Sequence, residues 1–167
     1  YNAQSPLHHR KPGVVGAALT DERAVCELIC DDVHLHPVAQ RLAYIAKGRN
    51  GIILITDSIR ACLTENGESE LGGQKVFVHE NRAELADGTL AGSVLTMADG
   101  VRRFMHNTGA SLPEAVAAAS LNVAVSLGLD HQLGSLEVGK AADIVLLDED
   151  TLQVKETIID GTTVFSA

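Results

Sequence analysis

The order of apolar and polar positions predicts a strand, a helix and a second strand in the first third of the chain. A mostly apolar run at 24–30 is followed by a helical pattern over Pro37–Lys47, with Gly48 as its stop signal, and then by a fully apolar run at 52–55. Both apolar runs end in polar residues, the second one at Asp57. Two apolar runs joined by a helix predict a β-α-β unit whose parallel strands are buried on both faces.

The middle of the chain predicts an insertion followed by two helices. Residues 58–86 are polar and rich in glycine, and a hairpin is expected between the segments 76–78 and 82–85. A threonine cap and a glycine stop then delimit a helix over 96–109. A second, alanine-rich helix is expected over 111–128, where Ser-Leu-Pro-Glu forms a capping box at its start.

The two ends of the chain differ from this central pattern. Residues 1–19 place prolines and glycines among polar residues and predict a loop. The last part of the chain predicts short strands separated by turns, within 134–148, 154–159 and 162–165. We therefore expect a small β element at 131–167, separate from what precedes it.

The composition disfavours several classes of protein. The chain has 167 residues, 46% of them hydrophobic, so it can bury the core of roughly one domain. It has 13 lysines and arginines against 22 aspartates and glutamates, a formal net charge of -9, which disfavours nucleic-acid binding. No apolar run approaches the roughly 18 residues of a membrane span, so we expect no membrane contact. We also expect no secretory signal, and reduced thiols at the three cysteines of a cytoplasmic protein.

Asp57 is the most informative acidic residue in the sequence. A carboxylate that follows a buried parallel strand stands at the rim of the sheet, where a general base or a metal ligand is needed. From the pattern alone, a helix cap or turn is an equal alternative. His34 and His36 follow the other predicted strand and would point to opposite faces if that strand continued, and a structural role is open for each.

Three further segments carry groups that suit a polar or anionic ligand. Arg10 lies with Lys11 and two histidines on the opening loop, and a guanidinium suits bidentate binding of phosphate, although a solvated basic loop is the alternative. Asn2 offers a donor and an acceptor near the same loop. The run Leu90-Ala91-Gly92-Ser93 could bring bare backbone close to a ligand, or could be an ordinary turn.

A series of short motifs follows one order along the chain: Tyr1-Asn2-Ala3, His9-Arg10-Lys11-Pro12-Gly13-Val14-Val15-Gly16-Ala17, Asp31-Asp32-Val33-His34, Thr56-Asp57, Gly88-Thr89-Leu90-Ala91-Gly92-Ser93 and Leu95-Thr96-Met97. Together they resemble the N-acetylglucosamine-6-phosphate deacetylase family, and the match extends over the whole chain. The segment 134–148 is similar to the small β domain that follows the barrel in the wider amidohydrolase superfamily.

The resemblance implies a fold of the α/β class. Residues 1–130 would be the C-terminal half of a (β/α)₈ TIM barrel, with a loop or hairpin insertion at about 58–95. Residues 131–167 would be a segment of a small β-sandwich domain. A closed barrel of this kind takes about 250 residues, so we expect its other half in polypeptide upstream of this sequence. A half barrel by itself would expose strand edges and apolar faces, which predicts association or insolubility.

The resemblance also implies a reaction, the hydrolysis of the acetamide of N-acetylglucosamine 6-phosphate to acetate and glucosamine 6-phosphate. Asp57 would take a proton from a metal-activated water and pass it to the departing amine. Substrate contacts are implied for Asn2, Ala3, Arg10, His34, Leu90, Ala91 and Gly92, with Arg10 supplied across a homodimer interface to hold the phosphate.

The implied cofactor is a divalent metal ion, with zinc as the expected metal. Its main ligands, a glutamate and two histidines, would lie upstream of Tyr1, and no metal ligand is expected within this chain. We therefore expect the chain to be inactive without the rest of the barrel. Two alternatives stay open: another amidohydrolase, such as a dihydroorotase-like ring opener, and a non-catalytic module that binds a sugar phosphate.

Overall fold

The computed structural model describes residues 1–64 and 67–167, which form a mixed α/β fold. In chain order the elements are α1 (Gly13–Thr20), β1 (Cys26–Ile29), α2 (Pro37–Lys47), β2 (Ile52–Ile55), β3 (Gly67–Leu71), β4 (Gln74–His79), β5 (Arg82–Glu84), α3 (Met97–Thr108), α4 (Leu112–Ala119), α5 (Leu121–Leu127), β6 (Ile144–Leu147), β7 (Val154–Ile159) and β8 (Thr162–Ser166). The expected α/β class is confirmed, whereas the barrel and its domain boundary stay predictions.

The predicted β-α-β unit is present, and α2 joins two parallel strands. Ile29 of β1 pairs with Ile55 of β2 in the parallel register. Leu28 and Leu54 pack into the core on the helical side of the sheet, whereas Ile29 and Ile55 line a cavity on its other side. β1 is shorter than the predicted run at 24–30, because a polar turn closed by main-chain N–H bonds begins directly after it.

Local capping sets the start of most helices. α2 has Pro37 at its first position, as predicted. α3 begins after Thr96, whose hydroxyl accepts a hydrogen bond from the Asp99 main-chain N–H at 3.2 Å, and it ends at the left-handed Gly109. Ser111 and Glu114 form the predicted capping box before α4.

The prediction of a loop over residues 1–19 is wrong in its second half, where α1 forms. Ser5 explains the difference, because its hydroxyl accepts a hydrogen bond from the Val14 main-chain N–H at 2.9 Å. The first turn of α1 is thus capped by a residue nine positions upstream of Val14. Sequence rules for helix caps consider only the residue directly before the helix, so they could not identify Ser5.

The single helix predicted over 111–128 is also wrong, because it divides at Ser120. The backbone of Ser120 leaves helical geometry at φ -139° and ψ -79°, and its hydroxyl donates to the Gly134 carbonyl at 3.2 Å. Asn122, at the start of α5, donates to the carbonyls of Arg49 and Ile52 at 2.7 and 2.8 Å. Hydrogen bonds to distant segments therefore determine the break.

The main core lies between the parallel sheet and the helices that cover one of its faces. α3 packs against α2 and α4, and both α3 and α4 contact β2. Phe104 of α3 is 1% exposed and meets Tyr44 edge-on, with ring centroids 5.4 Å apart. This packing buries the helical side of the sheet and leaves its carboxyl edge free to carry polar groups.

The predicted insertion folds into an antiparallel sheet with a core of its own. The hairpin of β4 and β5 is confirmed, and β3 is an additional strand that its polar sequence did not indicate. The core of this sheet contains Ala61, Val76, Val78, Ala83 and Ala91. It is therefore a structural element that joins the end of β2 to the segment preceding α3.

The C-terminal strands form a second antiparallel sheet, in the order β6-β7-β8. Its strands lie where the sequence predicts them, while the sandwich to which they would belong stays a prediction. All three cysteines are free thiols. No helix within the described residues is both long and apolar enough to cross a membrane.

Candidate active site

Asp57 lies just beyond the carboxyl end of β2, on the face of the sheet opposite α2, α3 and α4. It follows Ile55 by two residues, and both residues line the same cavity. Its backbone is left-handed, with φ 50°, so the chain turns sharply at this position. The carboxylate therefore stands exposed at the rim of the sheet.

The cavity beside Asp57 has a volume of about 460 Å³. Asn2 and Ala3 of the opening segment line it together with Asp57, while its remaining wall is mostly apolar residues of α1 and β1. Glu27 of β1 also reaches it. The structure thus brings together three of the predicted site residues, although Asp57 is more than fifty positions from Asn2 and Ala3 in the sequence.

The turn at Asp57 is held by the segment that precedes α3. The Ser93 main-chain N–H donates to the Asp57 carbonyl at 2.9 Å, and the Ile59 N–H donates to the Ser93 carbonyl at 3.0 Å. The Ser93 hydroxyl, which is buried, donates to the Thr56 carbonyl. The Ser58 hydroxyl donates to the Leu95 carbonyl. The roles of these serines were not predictable from the sequence, since their partners lie more than thirty positions away.

Gly92 contacts this turn through its main chain. A Cβ at this position would lie 2.7 Å from Ile59 Cγ2 and 3.1 Å from the Asp57 carbonyl oxygen, and φ is +79°. Leu90 and Ala91 do not line the cavity. Leu90 forms an antiparallel β-bridge with Glu84, and the Ala91 N–H donates to the Ala83 carbonyl at 2.9 Å. The segment Leu90-Ala91-Gly92 therefore pairs with the small antiparallel sheet through Leu90 and Ala91. At Gly92 it passes close to the Asp57 carbonyl.

His34 is held by Asp31 in a tight turn after β1. The Nδ1 atom of His34 lies 2.6 Å from Asp31 Oδ2, and their side chains are 7% and 3% exposed. His34 does not line the cavity of Asp57. His36 instead caps α2, and its Nδ1 atom accepts a hydrogen bond from the Val38 N–H at 3.2 Å. In the sequence analysis Asp31 appeared only as part of a motif. Its position three residues before His34 was the signal that could have indicated their pairing.

Asp32 is the centre of a second polar group that the sequence did not indicate. Its carboxylate accepts hydrogen bonds from Arg103 Nη1 at 2.8 Å, Gln40 Nε2 at 2.9 Å and Asn107 Nδ2 at 2.6 Å. Arg103 and Asn107 belong to α3, seventy or more positions downstream. Gln40 belongs to α2, so these hydrogen bonds join the loop after β1 to both α2 and α3. No local sequence pattern could indicate such an arrangement.

Arg10 is exposed and lies outside the cavity within one copy of the chain. Its Nη1 atom lies 2.7 Å from His9 Nε2. The structure therefore does not bring Arg10 together with Asp57, and its predicted contribution from a second copy stays a prediction.

Two groups near the site are held in their protonated forms. Burial, assisted by the charges of Asp32 and Asp31, raises the pKa of the Cys30 thiol to about 12. Burial also raises the pKa of the Tyr1 hydroxyl, whose oxygen is buried and has no hydrogen-bond partner among the described residues. Cys30 is therefore unsuited to nucleophilic catalysis at neutral pH.

A metal ion finds no complete ligand set in the part of the chain that the structure describes. Within that part, no group of three or more histidine, cysteine, aspartate or glutamate side chains is placed to hold an ion. Asp57 alone can offer at most one carboxylate to such an ion. The residues present therefore do not constitute a metal centre.

The fold and the site place this chain among α/β proteins that carry their polar groups at the carboxyl ends of parallel strands. The chain belongs to the amidohydrolase family, whose family model matches residues 17–164. The resemblance inferred from the motifs is confirmed by individual relatives. The N-acetylglucosamine-6-phosphate deacetylase of Bacillus subtilis is 47% identical over 165 residues, which cover 99% of this chain and 41% of that protein.

Two further relatives show the same partial coverage. The N-acetylgalactosamine-6-phosphate deacetylase of Escherichia coli O157:H7 is 44% identical, over 96% of this chain and 42% of that protein. The crystal structure of N-acetylglucosamine-6-phosphate deacetylase from Thermotoga maritima matches with a TM-score of 0.90 and 44% identity, over 98% of this chain and 44% of that one. The chain thus spans about two fifths of the length of these relatives.

Proposed function

We propose that this chain supplies the general base and part of the substrate site of a metal-dependent deacetylase. The reaction is the hydrolysis of N-acetylglucosamine 6-phosphate to glucosamine 6-phosphate and acetate. The observation that carries the proposal is the position of Asp57, exposed at the carboxyl end of β2 in a cavity that it shares with Asn2 and Ala3. The names of the relatives give the substrate class.

The chemistry assigned to Asp57 is proton transfer in both directions. Its carboxylate accepts a proton from the attacking water, the water oxygen bonds to the acetyl carbon, and the carbon-nitrogen bond then breaks. The same carboxyl group returns the proton to the departing nitrogen, because an unprotonated amide nitrogen is a poor leaving group. Exposure of Asp57 at the end of a strand allows the carboxylate to reach both atoms, while the Ser93 and Gly92 backbone fixes the turn that carries it.

The metal requirement rests on the family, since amidohydrolases are typically metal-dependent. The described residues offer no ligand set, so we assign the ion, zinc in this proposal, to ligands in polypeptide that the relatives have and this chain does not span. The same polypeptide would complete a (β/α)₈ barrel with residues 1–130, and residues 131–167 would join a small β-sandwich.

The substrate phosphate is assigned to Arg10 of a second copy in a homodimer. Within one chain the guanidinium is exposed and lies outside the cavity of Asp57. This position favours a role of Arg10 in the site of the second copy over a role in the site of its own chain. Asn2 and the main chain of Ala3, which line the cavity of Asp57, are assigned to the sugar. His34 and the main chain of Leu90, Ala91 and Gly92 lie outside that cavity in this chain, and we assign them to substrate contacts in the completed site. A guanidinium suits this task, because its donors match two phosphate oxygens at once.

The experiment is an assay of acetate release by the zinc-loaded complete enzyme. Substrates are N-acetylglucosamine 6-phosphate, its galacto epimer, unphosphorylated N-acetylglucosamine and, followed by ring opening, the cyclic amide dihydroorotate. We expect hydrolysis of a phosphorylated sugar and a much slower reaction without phosphate. Opening of a cyclic amide instead of deacetylation would favour a dihydroorotase-like enzyme. Sugar-phosphate binding without hydrolysis would favour a non-catalytic module.

A further inference from the structure

The Asp31 carboxylate is fixed by the hydrogen bonds of the turn that contains it. Its Oδ1 atom accepts from the main-chain N–H groups of Val33 at 2.9 Å and of His34 at 2.8 Å. Its Oδ2 atom lies 2.6 Å from Nδ1 of the His34 ring. Asp31 is 2% exposed, so the carboxylate has no freedom to turn away from the ring.

The turn itself is anchored on its other side. Asp32 adopts a left-handed backbone with φ 66°, and its side chain is held by Arg103, Gln40 and Asn107. A histidine ring held by a carboxylate in such a turn has a defined orientation. Each of the two adjacent aspartates has its own set of donors, so the turn is fixed on both sides.

The arrangement selects one tautomer of His34. An ionised carboxylate only accepts hydrogen bonds, so the ring nitrogen that faces Asp31 must carry the proton. The other ring nitrogen, Nε2, then has a free lone pair when the imidazole is neutral. Among the described residues none forms a hydrogen bond with Nε2 of His34.

We propose that Asp31 is a positioning residue that keeps the proton of His34 on Nδ1, so that Nε2 accepts a hydrogen bond from a hydroxyl group of the sugar phosphate. This inference rests on the proposed function, because it takes His34 as a substrate contact. Carboxylate-histidine pairs that fix a tautomer in this way are a general device of enzyme sites.

The first test is spectroscopic and uses Asp31→Asn. If the introduced amide oxygen keeps the two main-chain N–H bonds, the amide NH₂ faces the ring, and Nδ1 must become an acceptor. We expect ¹⁵N spectra of the histidine-labelled complete enzyme at neutral pH to show Nδ1 of His34 protonated in the unaltered protein and Nε2 protonated in Asp31→Asn. His34→Gln identifies the resonances. Asp32→Asn is the matched control, since it perturbs the neighbouring carboxylate and should leave the tautomer unchanged.

The second test is kinetic and uses the zinc-loaded complete enzyme. We expect Asp31→Asn to lower kcat/KM by roughly 10-fold to 100-fold, as outer partners of functional histidines do. Asp31→Asn should add little to His34→Gln in the double variant, because both changes remove the same interaction. Asp32→Asn should lower the midpoint of thermal unfolding, and its effect on kcat/KM should add to that of His34→Gln.

The outcomes separate this inference from the proposed function. An unaltered protein with the proton on Nε2, or a tautomer that Asp31→Asn leaves unchanged, would overturn the role of Asp31. Additive losses from Asp31→Asn and His34→Gln would do the same. An unaltered enzyme that releases no acetate would contradict the proposed function, whereas the spectra would still decide the tautomer.

Discussion

Gly92 shows how a single residue shapes the surroundings of Asp57. Its left-handed backbone and the lack of a side chain allow the segment before Ser93 to pass close to Ile59 and to the Asp57 carbonyl. The sequence indicated this glycine as bare backbone near a ligand. The structure shows a different contact, with the main chain that carries the proposed base.

We expect Gly92→Ala to destabilise the protein more than Gly88→Ala. Both glycines have a left-handed backbone, but a Cβ at Gly88 meets nothing within 4 Å. Gly88→Ala should therefore cost only the conformational penalty of about 1–2 kcal/mol. Gly92→Ala adds a steric conflict, which should raise the loss by at least ~1 kcal/mol. Urea unfolding of both variants checks this, and equal losses would contradict the close approach.

The capping box of α4 illustrates how an element depends on the ionisation of one side chain. The Glu114 carboxylate accepts hydrogen bonds from the Ser111 hydroxyl at 2.6 Å and the Ser111 main-chain N–H at 2.9 Å. These bonds, with a smaller contribution from Tyr44, hold the pKa of Glu114 below its ordinary value of 4.5. The ionised form therefore stabilises α4.

We expect the stability difference between the unaltered protein and Glu114→Gln to depend on pH. Because the folded pKa is the lower one, the contribution of Glu114 is fully present above its ordinary value of 4.5 and is lost as pH falls through the folded value. Thermal midpoints should therefore differ at pH 7 and converge in acid. A difference in thermal midpoint that stays the same at pH 7 and in acid would show that ionisation of Glu114 contributes nothing to stability. Glu149→Gln, at an exposed position in the turn after β6, is the control.

Elements were predictable where their signals are local. The apolar runs and Pro37 indicated β1, β2 and α2. Thr96 and Gly109 indicated the limits of α3, and the Ser111-Glu114 box indicated the start of α4. α1 and the division at Ser120 were not predictable, because Ser5 and Gly134 supply their hydrogen bonds from other segments. The site follows the same rule: strand ends and motifs indicated Asp57 and His34. Ser93, the buried partner of the Asp57 turn, became evident only through three-dimensional contacts. Asp31, the buried partner of His34, lies three residues away from it, and only its role had to be read from the structure.

The whole molecule has the features of a part of a larger assembly. Its parallel sheet contains two strands in the described residues, and the cavity on the face opposite α2, α3 and α4 is lined mostly by apolar residues. An isolated β-α-β unit rarely leaves such a face uncovered. This agrees with the chain covering 41% of its Bacillus subtilis relative.

Sharing of Arg10 between subunits predicts complementation of two inactive variants. In a mixed dimer of Arg10→Ala and Asp57→Asn chains, one of the two sites combines an intact Asp57 with an intact Arg10 from the other copy. Mixing the variants under exchange conditions should therefore restore about a quarter of the unaltered activity, because half of the dimers are mixed. Unmixed variants are the controls. Failure to recover activity despite proven exchange would place Arg10 in the site of its own chain.

The role of Asp57 is the central claim, and acetate release by Asp57→Asn measures it most directly. The assay uses zinc-loaded complete enzyme, N-acetylglucosamine 6-phosphate, and Asp130→Asn as a matched exposed control. We expect kcat to fall by roughly 100-fold to 10,000-fold for Asp57→Asn, with folding unchanged, and to stay unaltered for Asp130→Asn. A folded Asp57→Asn enzyme with normal kcat would contradict the account.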